Sequence, residues 1–198
     1  MFTTRPRRRG ALAAAALFVT LGLGLAACAA ADGTGNMPSG MVTFDSSANG
    51  DVHTTEHGYV SVGDSVSPFD DHLPVIAKLN PELRAAVQSA ATAAQADGFV
   101  FVVTSGWRSA AYQQSLLDDA TASYGTLEEA RKWVNTPELS THVTGDAVDI
   151  GYTDADSWLS QHGADYGLCQ TFSNEMWHFE LATNPDGTCP PQRANAAG

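Results

Sequence analysis

The chain has 198 residues and carries 22 acidic against 10 basic side chains, so its formal net charge at neutral pH is −12. An acidic surface of this kind repels polyanions, and we therefore expect no nucleic-acid partner. Apolar and aromatic residues are plentiful after residue 59, which indicates a packed domain and not a disordered acidic chain. The length suits one domain and not two.

The N-terminus has the layout of a secretory signal. Four arginines precede an apolar run of 17 residues, which is short for a membrane span of about 20. The run ends in Leu25-Ala26-Ala27-Cys28, which is typical of a bacterial lipobox, where the cysteine is lipidated and becomes the new N-terminus. We therefore predict a lipoprotein signal; an ordinary signal peptide and a retained membrane anchor are the alternatives.

The composition divides the chain into three parts. We predict a signal peptide over residues 1–27, a flexible tether over 28–58 and a folded domain over 59–198. Removing the first part leaves 6 basic against 22 acidic residues, since 10 − 4 = 6, and a charge of −16. A lipid on Cys28 would anchor the domain to the outer face of the bacterial cell membrane.

The hydrophobic pattern of the domain places helices early and most strands late. In chain order, we predict a helix from Asn80-Pro81-Glu82 to Asp97-Gly98, a strand over 99–104, helices after Ser109 and over 128–134, a strand over 147–150, a helix over 156–162 and a strand over 177–181. This order favours an α+β fold with a small, mainly antiparallel sheet and helices packed on it. The HTTEH segment, residues 53–57, has the wrong order for a metal motif, and we expect a solvated loop there.

Two cysteines remain once Cys28 is assigned to lipidation. They are Cys169 and Cys189, and in an exported protein a disulfide between them is expected. Two buried thiols are the alternative.

Three short segments hold residue types that bind metals or anions inside apolar surroundings. They are the stretch from Ser140 to Asp149, which includes His142, the stretch EMWHF with Glu175 and His178, and the stretch TSGWRS with Arg108. An aspartate between two apolar strand residues is costly to bury unless it is paired or binds a cation. Two imidazoles and one carboxylate form the ligand set of catalytic zinc sites, and a further carboxylate is needed to take a proton from water. On the residues alone, a metal site and separate structural roles are equally open.

The spacing of these residues requires two changes of chain direction. On a regular strand, Glu175 and His178 would point to opposite faces, so both reach one metal only if the chain bends between them. His142 and Asp149 likewise require a turn, which Thr144-Gly145-Asp146 supplies.

The segments SGWRS, SxHxxGxAxD and ExWH, in this order, resemble the D-Ala-D-Ala metallopeptidase family of zinc peptidases, with VanY-type D,D-carboxypeptidases as the nearest likeness. The resemblance covers roughly residues 70–182. It implies that His142, Asp149 and His178 hold zinc, that Glu175 is the catalytic base, that Arg108 binds substrate and steadies the developing oxyanion, and that Ser140 and Gln113 contact the substrate.

The resemblance also implies a function. It is that of a zinc D,D-carboxypeptidase that removes the terminal D-Ala from peptidoglycan stem peptides outside the membrane, and we expect a monomer. A D-Ala-D-Ala dipeptidase or an L-Ala-D-Glu endopeptidase of the same family is the alternative. An inactive cell-wall binding module is a third reading, which the intact ligand set disfavours.

Overall fold

The structure is a computed structural model that describes residues 50–198. The predicted signal peptide, the predicted lipidation site Cys28 and most of the predicted tether lie outside the described residues. Residues 50–198 belong to one compact unit. Within this range, no helix has the length and apolar character needed to cross a membrane.

Four short strands form one antiparallel sheet. They are β1 (Val102–Ser105), β2 (Ala147–Gly151), β3 (Leu168–Gln170) and β4 (His178–Leu181). The order across the sheet is β1-β2-β4-β3, and each neighbouring pair is antiparallel. The predicted α+β class with a small antiparallel sheet is confirmed.

The described helices are α1 (Pro74–Ala77), α2 (Pro81–Ala96), α3 (Ala110–Tyr124), α4 (Leu127–Ala130), α5 (Thr141–Thr144) and α6 (Thr153–His162), with 3-10 turns at Thr55–His57 and Gly163–Tyr166. The two longest begin as the sequence predicts. The Asn80 side chain accepts a hydrogen bond from the backbone N–H of Glu82, and Ser109 accepts one from that of Tyr112. These contacts satisfy donors that the first turn of a helix leaves free.

The main core lies on one face of the sheet, beneath α2 and α6. Strand residues Val148, Ile150 and Phe179 are almost fully buried there, and Leu83 of α2 and Leu159 of α6 belong to the same apolar cluster. Because side chains alternate along a strand, this face takes the apolar residues of β2 and β4, and the residues between them point to the opposite face.

Several sequence predictions of element bounds are wrong. The strand expected from residue 99 begins only at Val102, because the N–H of Phe99 still bonds to the helical carbonyl of Ala94 and closes the end of α2. The helix expected over 128–134 ends at Ala130. The missed elements α1, α5 and β3 have three or four residues each, too few to show a hydrophobic period.

The HTTEH segment packs on the domain. The Nδ1 atom of His57 lies 2.7 Å from the Ser109 hydroxyl, and the backbone N–H of Ser109 donates to the carbonyl of His57. The expectation of a solvated loop is therefore wrong for His57, which is half-buried at the start of α3. The last residues of the predicted tether thus contact the folded domain.

Cys169 and Cys189 form the expected disulfide. It joins buried β3 to the C-terminal segment, residues 189–198, which then forms a parallel bridge between Arg193 and Phe172. The bond therefore fixes the start of a segment that returns to the loop after β3.

Removing the disulfide should lower stability. The bond closes a loop with a sequence separation of 20, which corresponds to about 3 kcal/mol in the chain-entropy account. We expect the double variant Cys169→Ser/Cys189→Ser to melt at a lower temperature than the oxidised parent. Reductant should not change the melting temperature of this variant. Equal melting temperatures for the parent with and without reductant would contradict this role.

Candidate metal centre

His142, Asp149 and His178 lie together on the face of the sheet opposite the main core. Each offers one ligand atom, and these atoms all lie within 4.8 Å of one another. The Oδ1 atom of Asp149 is 3.4 Å from Nε2 of His142 and 3.2 Å from Nδ1 of His178. All three side chains are buried. The structure thus brings together the three residues that the sequence singled out as metal ligands.

The register of the sheet explains why two of these residues meet. Asp149 on β2 stands directly opposite His178 on β4, and on its other side it stands opposite Ser105 on β1. Directly opposite residues on one sheet face have Cβ atoms about 5 Å apart. A break in the β1 register before Ser105 accompanies this pairing. Ser105, Asp149 and His178 therefore form a row across the sheet.

The third ligand comes from α5 and the turn that follows it. Gly145 ends α5 with φ of +82°, a conformation that side chains with a Cβ rarely adopt. A Cβ at this position would lie 2.5 Å from the carbonyl oxygen of Lys78. The Gly145 carbonyl accepts a hydrogen bond from the N–H of Asn80, so the start of α2 anchors the turn and with it His142. The exposed Asp146 carboxylate accepts from the Asn80 side chain.

Each histidine has an oxygen partner on its outer nitrogen. Nδ1 of His142 lies 2.8 Å from the carbonyl oxygen of Gly106, which can only accept, so this nitrogen carries a proton. Nε2 of His178 lies 2.8 Å from Glu180, which also accepts from the Thr141 hydroxyl. Each contact leaves the other ring nitrogen facing Asp149, as a metal-binding histidine requires.

Glu180 was missed by the sequence analysis. Its signal is positional: it follows His178 by two residues on a strand, and a period of two places both side chains on the same face. Hydrogen bonds and the charge of His178 hold the pKa of Glu180 below its usual value, although burial alone would raise it.

The electrostatics of the cluster favour an ionised aspartate and a protonated histidine when no cation is bound. Burial would raise the pKa of Asp149, but His142, His178 and Arg108 together hold it well below its usual range. Burial would lower the pKa of His178, but hydrogen bonds to Asp149 and Glu180, and their charges, raise it to about 9. Burial lowers the pKa of His142. A metal bound here would replace the proton on His178 as the positive charge.

Glu175 lies in a turn directly before β4, where the sequence predicted a bend. Its Oε2 atom is 4.0 Å from Nδ1 of His178, and its Oε1 atom is buried without a hydrogen-bond partner within residues 50–198. Burial, reinforced by the charge of Asp149, raises the pKa of Glu175 to about 7. A carboxylate with a free oxygen therefore stands beside the ligand cluster.

Arg108 braces the carboxylate of Asp149. Its Nη2 atom donates to Oδ2 of Asp149 at 2.8 Å, its Nε to the Ser105 hydroxyl at 2.7 Å and its Nη1 to Oε1 of Gln113 at 3.2 Å. Gln113 is only 1% exposed, and its Nε2 atom donates to the carbonyl of Asn135. Both ends of the Gln113 amide are thus engaged within the protein, so its predicted contact with substrate stays a prediction.

An open cavity of about 290 Å³ gives access to the cluster. Its lining includes the three candidate ligands, Glu175, Arg108 and Ser140, together with the exposed apolar side chains Trp133, Leu139 and Trp177. The Ser140 hydroxyl makes no hydrogen bond within the described part of the chain. Arg193 and Ala196 also line the cavity, although the sequence analysis assigned no role to their segment.

The fold and the site define a class: a small α+β domain with a buried His–Asp–His cluster and a neighbouring glutamate at the base of an open cavity. Residues 76–186, more than half of the chain, match the family model described as VanY: D-alanyl-D-alanine carboxypeptidase. The chain belongs to this family, and the family prediction from the sequence is confirmed.

Known relatives agree with this assignment. The chain is 31% identical over 112 residues to a D-alanyl-D-alanine carboxypeptidase of Enterococcus faecalis (strain ATCC 700802 / V583), in a match that covers 44% of this chain and 42% of the relative. It therefore spans about two fifths of the length of that relative.

Two solved structures share the fold. A mutant of the vancomycin resistance D,D-pentapeptidase VanY in complex with Zn(II) matches with a TM-score of 0.50 and 23% identity, over 59% of this chain and 77% of the other. The vancomycin resistance D,D-dipeptidase VanXYg, in complex with a D-Ala-D-Ala phosphinate analog, matches with a TM-score of 0.50 and 22% identity, over 68% of this chain and 62% of the other.

Replacing Glu180 should weaken metal binding without removing a ligand. In Glu180→Ala, His178 loses the acceptor that orients its ring, and such outer partners are worth about 10- to 100-fold in metal affinity. We expect a loss of this size in a competition titration with a chelating dye. The exposed Glu138→Gln serves as the control and should bind like the parent. Unchanged affinity in Glu180→Ala would contradict the assigned role.

Proposed function

We propose that this chain is a zinc-dependent D,D-carboxypeptidase that removes the terminal D-Ala from peptidoglycan stem peptides. One observation carries the proposal. It is the buried cluster of His142, Asp149 and His178, with an oxygen partner on the outer nitrogen of each imidazole and the free carboxylate of Glu175 beside it. Membership of the VanY family and the enterococcal relative support the choice of peptide substrate.

The donor set of the cluster fits zinc. Two neutral imidazole nitrogens and one carboxylate oxygen are ligands that zinc prefers, and three protein ligands leave a position open for water in catalytic sites. The solved VanY structure that shares the fold contains Zn(II). When bound, zinc would lower the pKa of a water molecule and polarise the carbonyl group of the scissile bond.

Glu175 is placed to move the proton. Its Oε1 atom has no partner within residues 50–198, so it is free to accept a proton from a water molecule in the cavity. A pKa of about 7 lets the carboxyl group release that proton again to the leaving amine near neutral pH. The turn that precedes β4 holds this side chain beside His178 without making it part of the ligand cluster.

Arg108 and Ser140 are the proposed substrate contacts. Arg108 uses three of its N–H groups to hold Asp149, Ser105 and Gln113, which leaves two N–H groups on a side chain that lines the cavity. They would donate to the oxyanion that develops as the peptide carbonyl is attacked. The Ser140 hydroxyl lines the same cavity, where it would bond to the peptide backbone.

The place of action is a further proposal. The basic and apolar N-terminus, with Cys28 at the end of the apolar run, supports an enzyme tethered by lipid to the outer face of the cell membrane, and we propose that it acts as a monomer. Peptidoglycan lies on that side. A tether raises the effective concentration of the domain at a nearby wall.

Replacing Glu175 should separate turnover from metal binding. In Glu175→Gln the carboxylate is lost but the three candidate ligands remain, so we expect zinc to stay bound while turnover falls by about 100- to 10,000-fold. Metal content and D-Ala release measured on the same sample check this. Asp146→Asn removes a carboxylate directed at Asn80 and should leave turnover unchanged. Loss of zinc from Glu175→Gln would show that the roles are misassigned.

Product analysis should identify the reaction. A peptide ending in D-Ala-D-Ala, incubated with the zinc-loaded protein, should release single D-Ala, and a chelator should stop the release. Release of the intact D-Ala-D-Ala dipeptide would indicate a dipeptidase, and a cut within the stem an endopeptidase. Binding of the peptide without any cleavage would instead support a wall-binding module.

A further inference from the structure

The C-terminal segment, residues 189–198, contributes to the wall of the metal-site cavity. It lies beyond residues 76–186, which match the family model. Two of its side chains, Arg193 and Ala196, nevertheless line the same cavity as the candidate ligands. This part of the cavity is therefore built by a segment outside the matched region.

Contacts at both ends and in the middle hold this segment in place. The disulfide fixes Cys189. The N–H of Arg193 donates to the carbonyl of Thr171, and the carbonyl of Arg193 accepts from Ser173, both at 2.9 Å. Further on, the side chain of Asn135 donates to the carbonyl of Ala196 at 2.9 Å. The segment thus joins the loop after β3, through Arg193 itself, to the loop that carries Asn135, through Ala196.

The guanidinium of Arg193 lies over an aromatic ring next to a candidate ligand. Its Cζ atom is 4.5 Å from the centroid of the Phe172 ring. Phe172 is buried, and its ring centroid is 4.8 Å from that of His178. Stacking on an aromatic face orients a guanidinium while its N–H edge stays available. The Arg193 side chain makes no ion pair or hydrogen bond within the described range 50–198, and the residue is exposed; its charge is one of several causes that lower the pKa of Glu180.

The positive side chains that line the cavity indicate what the Arg193 guanidinium could bind. Of the six lysine and arginine side chains in residues 50–198, only Arg108 and Arg193 line the cavity. Arg108 is already paired with Asp149. A carboxypeptidase substrate carries a carboxylate by definition of the reaction, and a strongly acidic protein repels it over long range. An unpaired arginine in the cavity wall offsets this repulsion locally and offers a planar fork that matches a carboxylate.

We propose that Arg193 is a specificity-determining residue that binds a carboxylate of the peptide substrate. The inference rests on the proposed function, because it assumes that a peptide enters this cavity. The carboxylate belongs either to the terminal residue that is released or to an acidic residue upstream of the cut. Arg193 would bind either carboxylate in the same way. Peptides that carry only one of the two carboxylates distinguish between them.

The test measures binding apart from turnover. The zinc-loaded Glu175→Gln protein provides a background in which the peptide is not consumed, and Arg193→Gln and Arg193→Lys are added to it. The probes are N-acetylated peptides ending in D-Ala-D-Ala, each as the free acid and as the C-terminal amide, with either an acidic or a neutral residue upstream. Arg84→Gln, on α2 and outside the cavity lining, removes the same charge and is the matched control.

We expect calorimetry to show about tenfold weaker binding in Arg193→Gln, partial recovery in Arg193→Lys and no change in Arg84→Gln, with equal melting temperatures and zinc content. If amidation of the terminus abolishes the effect, the terminal carboxylate is the target. If the effect instead follows the upstream acid, that carboxylate is the target.

Three results would overturn the inference: equal affinities in Arg193→Gln and its parent, the same loss for a peptide with no carboxylate, or no binding of any peptide. Turnover by the unsubstituted protein tests the proposed function separately, so a failure of the Arg193 role can be distinguished from a failure of that function. An active enzyme whose Arg193→Gln variant binds every peptide normally would retain the proposed function and lose this residue role.

Discussion

The pairing of β2 with β4 is the constraint on which the rest of the site depends. This register sets Asp149 opposite His178 on one face of the sheet and Val148 opposite Phe179 on the other. A slip of one residue would exchange the faces, burying a carboxylate in the apolar core and exposing a phenylalanine. The hydrophobic core beneath α2 and α6 therefore specifies the geometry of the metal centre above it.

The polar cluster on this sheet tolerates burial because each of its charges has a partner. Asp149 contacts Arg108 through one oxygen and the two histidines through the other, and His178 has Glu180 behind it. An unpaired buried charge would cost several kcal/mol, whereas a hydrogen-bonded network with balanced charges does not carry that cost. The exception is Glu175, whose Oε1 atom has no partner within residues 50–198 and is therefore free to accept a proton from water.

Much of this site can be predicted from the sequence, because short stretches of the chain are enough to single out its residues. His142, Asp149, Glu175 and His178 are each anomalous in apolar surroundings, and the odd spacing of the last two correctly predicted a bend. The start of α2 followed from its capping residues, and the disulfide followed from counting cysteines in a chain that we expect to be exported.

The features that the sequence analysis missed depend on contacts between distant segments. Arg193 enters the cavity only because a disulfide and main-chain hydrogen bonds return the C-terminal segment to Phe172. His57 reaches the start of α3 from a segment that is polar throughout, so no periodic pattern marks it. The packing of Gln113 against Arg108 and Asn135 is likewise set by tertiary structure, whereas the family resemblance implied only a contact with substrate.

We expect one metal ion to bind to Asp149 and His178, which the β2–β4 register brings together, and to His142 from α5. Crystals of the zinc-loaded protein, measured on both sides of the zinc absorption edge, test it most directly. We expect a single strong anomalous peak about 2 Å from Nε2 of His142, an oxygen of Asp149 and Nδ1 of His178, with Glu175 outside direct contact. A peak elsewhere, or none at this cluster in protein shown to contain zinc, would contradict it.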